Sequence, residues 1–84
     1  MAQTMDYRQI LNNYLQEVYR DDPSRHLTWE MSHEGPNNRP TWHAIAYLDE
    51  IEWGRGDGPS RGAAREAAAK EVLIAKRILR SQKT

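Results

Sequence analysis

Apolar and polar residues alternate along this 84-residue chain with two different periods. Over residues 5–20, Ile10, Leu11, Tyr14, Leu15, Val18 and Tyr19 recur at spacings of three and four. That stripe predicts an amphipathic helix with Leu11 and Leu15 in the core. Asp6 is placed to cap its start, and Asp21-Asp22-Pro23-Ser24 is placed to stop it. The period then changes to two. Leu27, Trp29 and Met31 alternate with polar residues, as do Trp42, Ala44, Ala46 and Leu48, so two strands are expected. The segment between them, Gly35-Pro36-Asn37-Asn38-Arg39-Pro40, is dense in turn formers. A third short strand is expected over Ile51 to Trp53, joined by a tight hairpin at Asp49-Glu50, although Asp-Glu is a poor primed turn. Gly54 to Ser60 reads as a loop, with Ser60 as N-cap of a second helix. That helix, rich in alanine, is predicted over residues 61–80. Its apolar face would run through Ala64, Ala68, Val72, Ala75 and Ile78 or Leu79, and Ser81 to Thr84 would fray.

The order helix, three strands, helix has a simple solution with short connections. It is an α+β fold, α-β-β-β-α, with a three-stranded antiparallel sheet and both helices packed on one face. The small residues Ala44 and Ala46 would let a helix approach that face closely. The opposite face, bearing His43, Ile45 and Tyr47, would look at solvent or a partner. The length fits a single domain over 1–84 with its core at about 6–80, too small for a separate catalytic unit or a large cofactor pocket.

Composition removes several function classes. The chain has no cysteine, so disulfides, thiolate zinc sites and a cysteine nucleophile are excluded. The longest unbroken apolar run, Ala44 to Leu48, is too short to span a bilayer. The N-terminal residues show no apolar signal region and no myristoylation glycine, which leads to the expectation of an intracellular protein, cytoplasmic or nuclear.

Twelve Lys and Arg balance twelve Asp and Glu, a net charge of zero that at first argues against a polyanion partner. The total hides an asymmetry. Residues 1–54 carry four basic side chains and nine acidic ones, net −5. Residues 55–84 carry eight basic and three acidic, net +5. The local field of a face, not the sum, decides what that face binds.

The candidate chemistry reflects that asymmetry. A helix N-terminus carries a partial positive charge and favours acids. Here Arg61 and Arg65 stand in the first turns of the second helix, repelling the dipole and each other. Two solvated arginines would be tolerated on a surface. A glycine-rich loop and a helix start that already attract phosphate make an anion site the sharper reading. Gly54-x-Gly56-x-Gly58 lacks the Gly-Lys-Ser/Thr of a P-loop and the parallel βαβ unit of a dinucleotide site. Arg55-Gly56-Asp57 matches a cell-adhesion tripeptide, a length at which chance matches are common. On the first helix, Gln9, Asn12, Asn13 and Gln16 share a side. Amides suit hydroxyls and base edges, while from spacing alone a solvated helix face accounts for them. The Asn37-Asn38-Arg39 turn is a third polar patch, or a plain turn. His26, His33 and His43 show no helical i,i+4 pair, so a metal site is not expected. No spacing for nucleophilic catalysis appears, and Asp49, Glu50 and Glu52 would be solvated at a hairpin tip. Neither an enzyme nor a cofactor is expected.

Taken together, these segments resemble the double-stranded RNA-binding domain family. The likeness is carried by Gly35-Pro36, the strand Trp42 to Leu48, and the run Trp53 to Ser60. It continues through Arg61-Gly62-Ala63-Ala64-Arg65-Glu66-Ala67-Ala68-Ala69, where the family pattern Lys-Lys-x-Ala-Lys-x-x-Ala-Ala aligns without a gap. Leu11 to Gln16 resembles the family's Leu-Asn-Glu-Tyr-x-Gln. The resemblance implies the same α-β-β-β-α order and a partner, double-stranded RNA, bound by shape across two minor grooves and the phosphates between them. It implies that Arg61 and Arg65 clamp phosphates with the Gly62 backbone between them. It further implies that Asn13 and Gln16, then Gln9 and Asn12, reach one minor groove, and that Asn37, Asn38 and Arg39 reach the other. Three positions depart from the pattern: Gly62 replaces a lysine, Asn38 the turn histidine and Asn13 a glutamate. Lys70 or Arg55 could offset the lost charge. Some members of the family act instead as docking or dimerisation modules. That second expectation would place a homodimer or protein partner on the face around Ile45 and Tyr47, or at Ile78 and Leu79.

Overall fold

A computed structural model describes residues 6–20, 22 and 25–78. The elements run α1 (Tyr7–Tyr19), β1 (Leu27–Glu34), β2 (Thr41–Leu48), β3 (Ile51–Gly58) and α2 (Arg61–Ala75). The three strands form one antiparallel sheet in the order β1-β2-β3. This is the α-β-β-β-α order that the periods predict.

Asp6 caps α1 by accepting a hydrogen bond from the Gln9 N–H at 3.1 Å. The helix closes at Arg20, whose backbone turns left-handed (φ 64°) while its N–H reaches the Gln16 carbonyl. Met5 and three of the four residues expected to stop it, Asp21, Pro23 and Ser24, lie outside the described residues. Leu11 and Leu15 are buried as expected, but Val18 is 52% exposed.

The hairpin at Asp49-Glu50 is built although its residues suit it poorly. Both take positive φ, 50° and 72°, as a primed two-residue turn requires. Asp49 is held from outside the turn. Its N–H donates to the His26 carbonyl, and its carboxylate accepts from the Tyr19 hydroxyl and meets His26 Nδ1, each at 2.9 Å.

The third strand differs from its expectation. It continues past Trp53 through Gly58, and Pro59-Ser60 alone connects it to α2. The glycines are strand residues, paired with β2 as Gly54 to Ala46, Gly56 to Ala44 and Gly58 to Trp42. The reason is the approach of α2. A Cβ on Gly54 would stand 2.8 Å from the Ala68 carbonyl and the Val72 nitrogen, and one on Gly58 would stand 2.6 Å from the Ala63 Cβ. Glycine here permits close helix–sheet packing rather than supplying loop freedom. A bulge between Ala46 and Tyr47 leaves Trp53 out of the pairing, and Trp53 packs against the core.

The core is therefore thin. Ala44, Ala64 and Ala68 meet in one cluster, while Leu11, Leu15, Ala46, Leu48, Ala69, Val72 and Leu73 form the other. The face of α2 runs through Ala64, Ala68, Ala69, Val72 and Leu73; Ala75, expected in it, is exposed. The helix stops at Ala75 rather than at 80. Arg77 turns left-handed (φ 63°), the Ile78 N–H reaches back to the Leu73 carbonyl and the Arg77 N–H to that of Ile74. That double bond pattern, with Ile78 packed on the Leu73 cluster, is a Schellman stop. Leu79 and residues 81–84 lie outside the described residues. Among the described residues, no helix is long and apolar enough to cross a membrane.

Candidate functional site

The start of α2 lies between the two other polar patches. Ser60 caps it, its Oγ accepting from the Ala63 N–H at 3.1 Å. From there the two arginines diverge. Arg61 is exposed and lies over the Trp42 ring, 4.9 Å from its centroid. Trp42 can serve it because β2 pairs Trp42 with Gly58, two residues before the cap. His33 leans on the same indole at 4.5 Å. Arg65 is half-buried and belongs to neither core cluster. Its Nε is sealed from solvent with no hydrogen-bond partner among the described residues.

Arg65 faces a cleft of about 370 Å³ between α1 and β1, shared with Asp6, Arg8, Gln9, Asn12, Leu27 and Trp29. A second hollow of about 500 Å³ shares part of that lining and brings in Asn13, Gln16 and Asp22. The four amides of α1 thus stand exposed along one groove, with Leu27 and Trp29 also lining it, and Arg65 lies at its α2 end.

On the other side, the Pro36 carbonyl accepts from the Arg39 N–H at 3.0 Å and tightens the β1–β2 turn. Asn37, Asn38 and Arg39 are exposed. Asn38 and Arg39 line a hollow of about 510 Å³ together with Asp57, Gly58 and Pro59. The turn therefore abuts the residues that lead into α2. The polar patches at 9–16, 37–39 and 61–65, distant in sequence, are neighbours in the fold.

Sequence reasoning missed how α1 is fixed to α2. The Glu66 carboxylate accepts from the Tyr7 N–H at 2.7 Å, and from the Arg8 N–H at 3.3 Å and the Arg8 Nε at 3.2 Å. The positive end of α1, already capped by the Asp6 carboxylate, is thus also met by a carboxylate from another helix. A separation of 59 residues gives no local signal of this. The role of Trp42 was hidden for the same reason, since it depends on strand register.

The outer sheet face has a different character. His43 lies between two carboxylates, with Nδ1 2.7 Å from Asp57 and Nε2 3.2 Å from Glu34. The hydrogen bond to Asp57, then that to Glu34, raises its pKa above the ordinary histidine value. The Tyr47 hydroxyl donates to Glu30 at 2.7 Å, and Ile45 is flanked in register by Glu30 and Arg55. Arg55 is held bidentately by Glu52 at 2.8 and 2.9 Å. It stays on this face, and Lys70 lies over the Tyr7 ring at 5.8 Å. Arg55 is thus paired with Glu52 on the outer sheet face.

A family model described as the double-stranded RNA binding motif matches residues 7–75. The chain belongs to that family. It is also similar to two curated proteins named ribonuclease 3. One, from Roseiflexus sp. (strain RS-1), is 35% identical over 71 residues, covering 84% of this chain and 29% of the relative. The other, from Corynebacterium efficiens, is 28% identical over 60 residues, covering 71% of this chain and 24% of the relative. The chain thus spans less than a third of either relative's length.

Proposed function

We propose that this motif holds double-stranded RNA by its A-form shape and performs no chemistry on it. The observation that carries the reading is the placement of three polar patches side by side. The α1 amides line one groove, the Asn37-Asn38-Arg39 turn flanks the opposite side, and the start of α2 lies between them. A duplex offers the same sequence of surfaces, with two minor grooves separated by the phosphates of a major groove. In this reading, Asn13, Gln16, Gln9 and Asn12 bond 2′-hydroxyls and base edges in one minor groove. Asn38, with Asn37 and Arg39, does so in the other. Arg61, Arg65 and the Gly62 backbone hold the phosphates between. Trp42 keeps the Arg61 guanidinium in place over its ring, which lowers the entropy lost on binding.

The two relatives are named for a ribonuclease. The part proposed for this segment is to grip the duplex, not to cut it. The competing reading, a docking or dimerisation surface at Ile45 and Tyr47, is disfavoured by the neighbours of those residues. Their surroundings are polar and largely acidic: Glu30, Glu52 and Arg55. A competition assay tests the proposal. A labelled RNA duplex bound to the protein should be displaced by unlabelled RNA duplex and far less by DNA of the same sequence. Equal displacement would refute 2′-hydroxyl reading.

A further inference from the structure

The second position of α2 is glycine, and nothing in the packing requires it. Its φ is not left-handed, and the nearest atom to a Cβ placed there is Arg8 Nη2, at 4.0 Å. A glycine this far from any clash costs helix stability for no steric return. What the missing side chain leaves is room, and Arg8 of α1 extends into it. We infer that Arg8 is a phosphate-binding residue, reaching across from α1 to the position over Gly62 and acting with Arg65 across the cleft the two share. This rests on the reading of the site as an RNA clamp.

The geometry of Arg8 supports a ligand-facing role. Its main-chain N–H and its Nε meet Glu66, which anchors the stem of the side chain. The side chain is 40% exposed, with Nη2 4.0 Å from a Cβ placed on Gly62. It shares its cleft with Arg65, whose sealed Nε has no partner among the described residues. Two guanidinium groups facing one cleft repel each other until an anion separates them. The carboxylates nearby are engaged at the start of α1: Asp6 accepts from Gln9, and Glu66 accepts from Tyr7 and Arg8. The first N–H groups of α2, on Arg61 and Gly62, have no intrahelical acceptor, as at any helix start.

The test is fluorescence anisotropy with an RNA duplex longer than about 16 bp, across a salt series, on four proteins. These are the wild type, Arg61→Ala, Arg8→Ala, and Arg8→Ala combined with Gly62→Lys. Arg8→Ala should weaken binding about tenfold at low salt and reduce the salt slope by about one. Gly62→Lys in that background should restore both, because it returns a cation to the same place. Unchanged affinity and slope for Arg8→Ala, while Arg61→Ala lowers both, would overturn the assignment of Arg8 and leave the clamp standing. A loss in Arg8→Ala that Gly62→Lys does not repair would show a structural role only, and would overturn it equally. Failure of the wild type to bind any RNA duplex would refute the clamp itself, and the Arg8 assignment with it.

Discussion

Replacing Gly54 with alanine should destabilise the fold, and the structure sets the size of the effect. The added Cβ would stand 2.8 Å from both the Ala68 carbonyl oxygen and the Val72 nitrogen, and 2.9 Å from a Val72 methyl. Two of those atoms are helix backbone, so no side-chain rotation relieves the contact. The sheet and α2 must move apart, and that opens the contact in which Ala44, Ala64 and Ala68 are wholly buried. Overpacking of this kind costs roughly 1–3 kcal/mol. In a domain of this size each kcal/mol lowers Tm by about 4–8 °C, so a central cost of about 2 kcal/mol predicts a fall of about 8–16 °C. Gly62→Ala is the control. It adds a methyl where the nearest atom is 4.0 Å away, inside a helix, and should stabilise by up to about 1 kcal/mol. Thermal and urea unfolding, followed by circular dichroism and tryptophan fluorescence, measures both. Were residues 54–58 a flexible loop, Gly54→Ala would stabilise by about 0.4–1 kcal/mol through the unfolded chain. An unchanged or raised Tm for Gly54→Ala therefore refutes the close-packing argument.

Glu66→Ala should cost about 0.5–2 kcal/mol, the range for losing a side chain that caps a helix start, because the Tyr7 and Arg8 N–H groups lose their acceptor; Glu66→Gln keeps an acceptor oxygen and should lose less by the same denaturation assay. His43 should make stability pH-dependent. Its folded pKa is raised above 6.5, first by Asp57 and then by Glu34. Its contribution is therefore fully present below about pH 6.5 and lost as pH rises through the folded value. His43→Gln should flatten Tm against pH across that window, and an identical profile for the two proteins would contradict the assignment.

Local periodicity accounts for what could be read in advance. Leu11 and Leu15 on α1, and Ala44, Ala46 and Leu48 on β2, are legible from spacing because a helix or strand buries one face whatever its partner. Asp6 and Ser60 were legible as caps because capping is local. Gly54, Gly56 and Gly58 misled because glycine ordinarily interrupts a strand, and the helix that demands it arrives only through tertiary packing. The end of α2 was misplaced for a related reason. Arg77 adopts a left-handed stop that glycine would have signalled. The amide patch and the two arginines were visible as residue types, but not the cleft that joins Arg65 to Asn12 and Gln9. Arg8, Glu66 and Trp42 gave no signal, since their roles depend on partners from other elements.

The zero net charge resolves into faces. Glu30, Glu34, Glu52 and Asp57 belong to the outer sheet face with Arg55 and His43. Asp57 also lines the hollow beside the Asn38-Arg39 turn, close to the start of α2. A duplex gripped at α2 would meet few cations, so its affinity should depend on salt in proportion to that small number. Two or three phosphate contacts predict a loss of about 12- to 42-fold between 50 and 200 mM salt, from a slope of about −0.9 per contact.

Shape-selective grip of RNA is decided by anisotropy titrations of the intact chain with RNA and DNA duplexes of one sequence, at those two salt concentrations. RNA should bind more tightly than DNA at both, with a loss on raising salt inside the stated range. Equal affinity for the two duplexes, or no binding to RNA at the lower salt, would contradict the clamp.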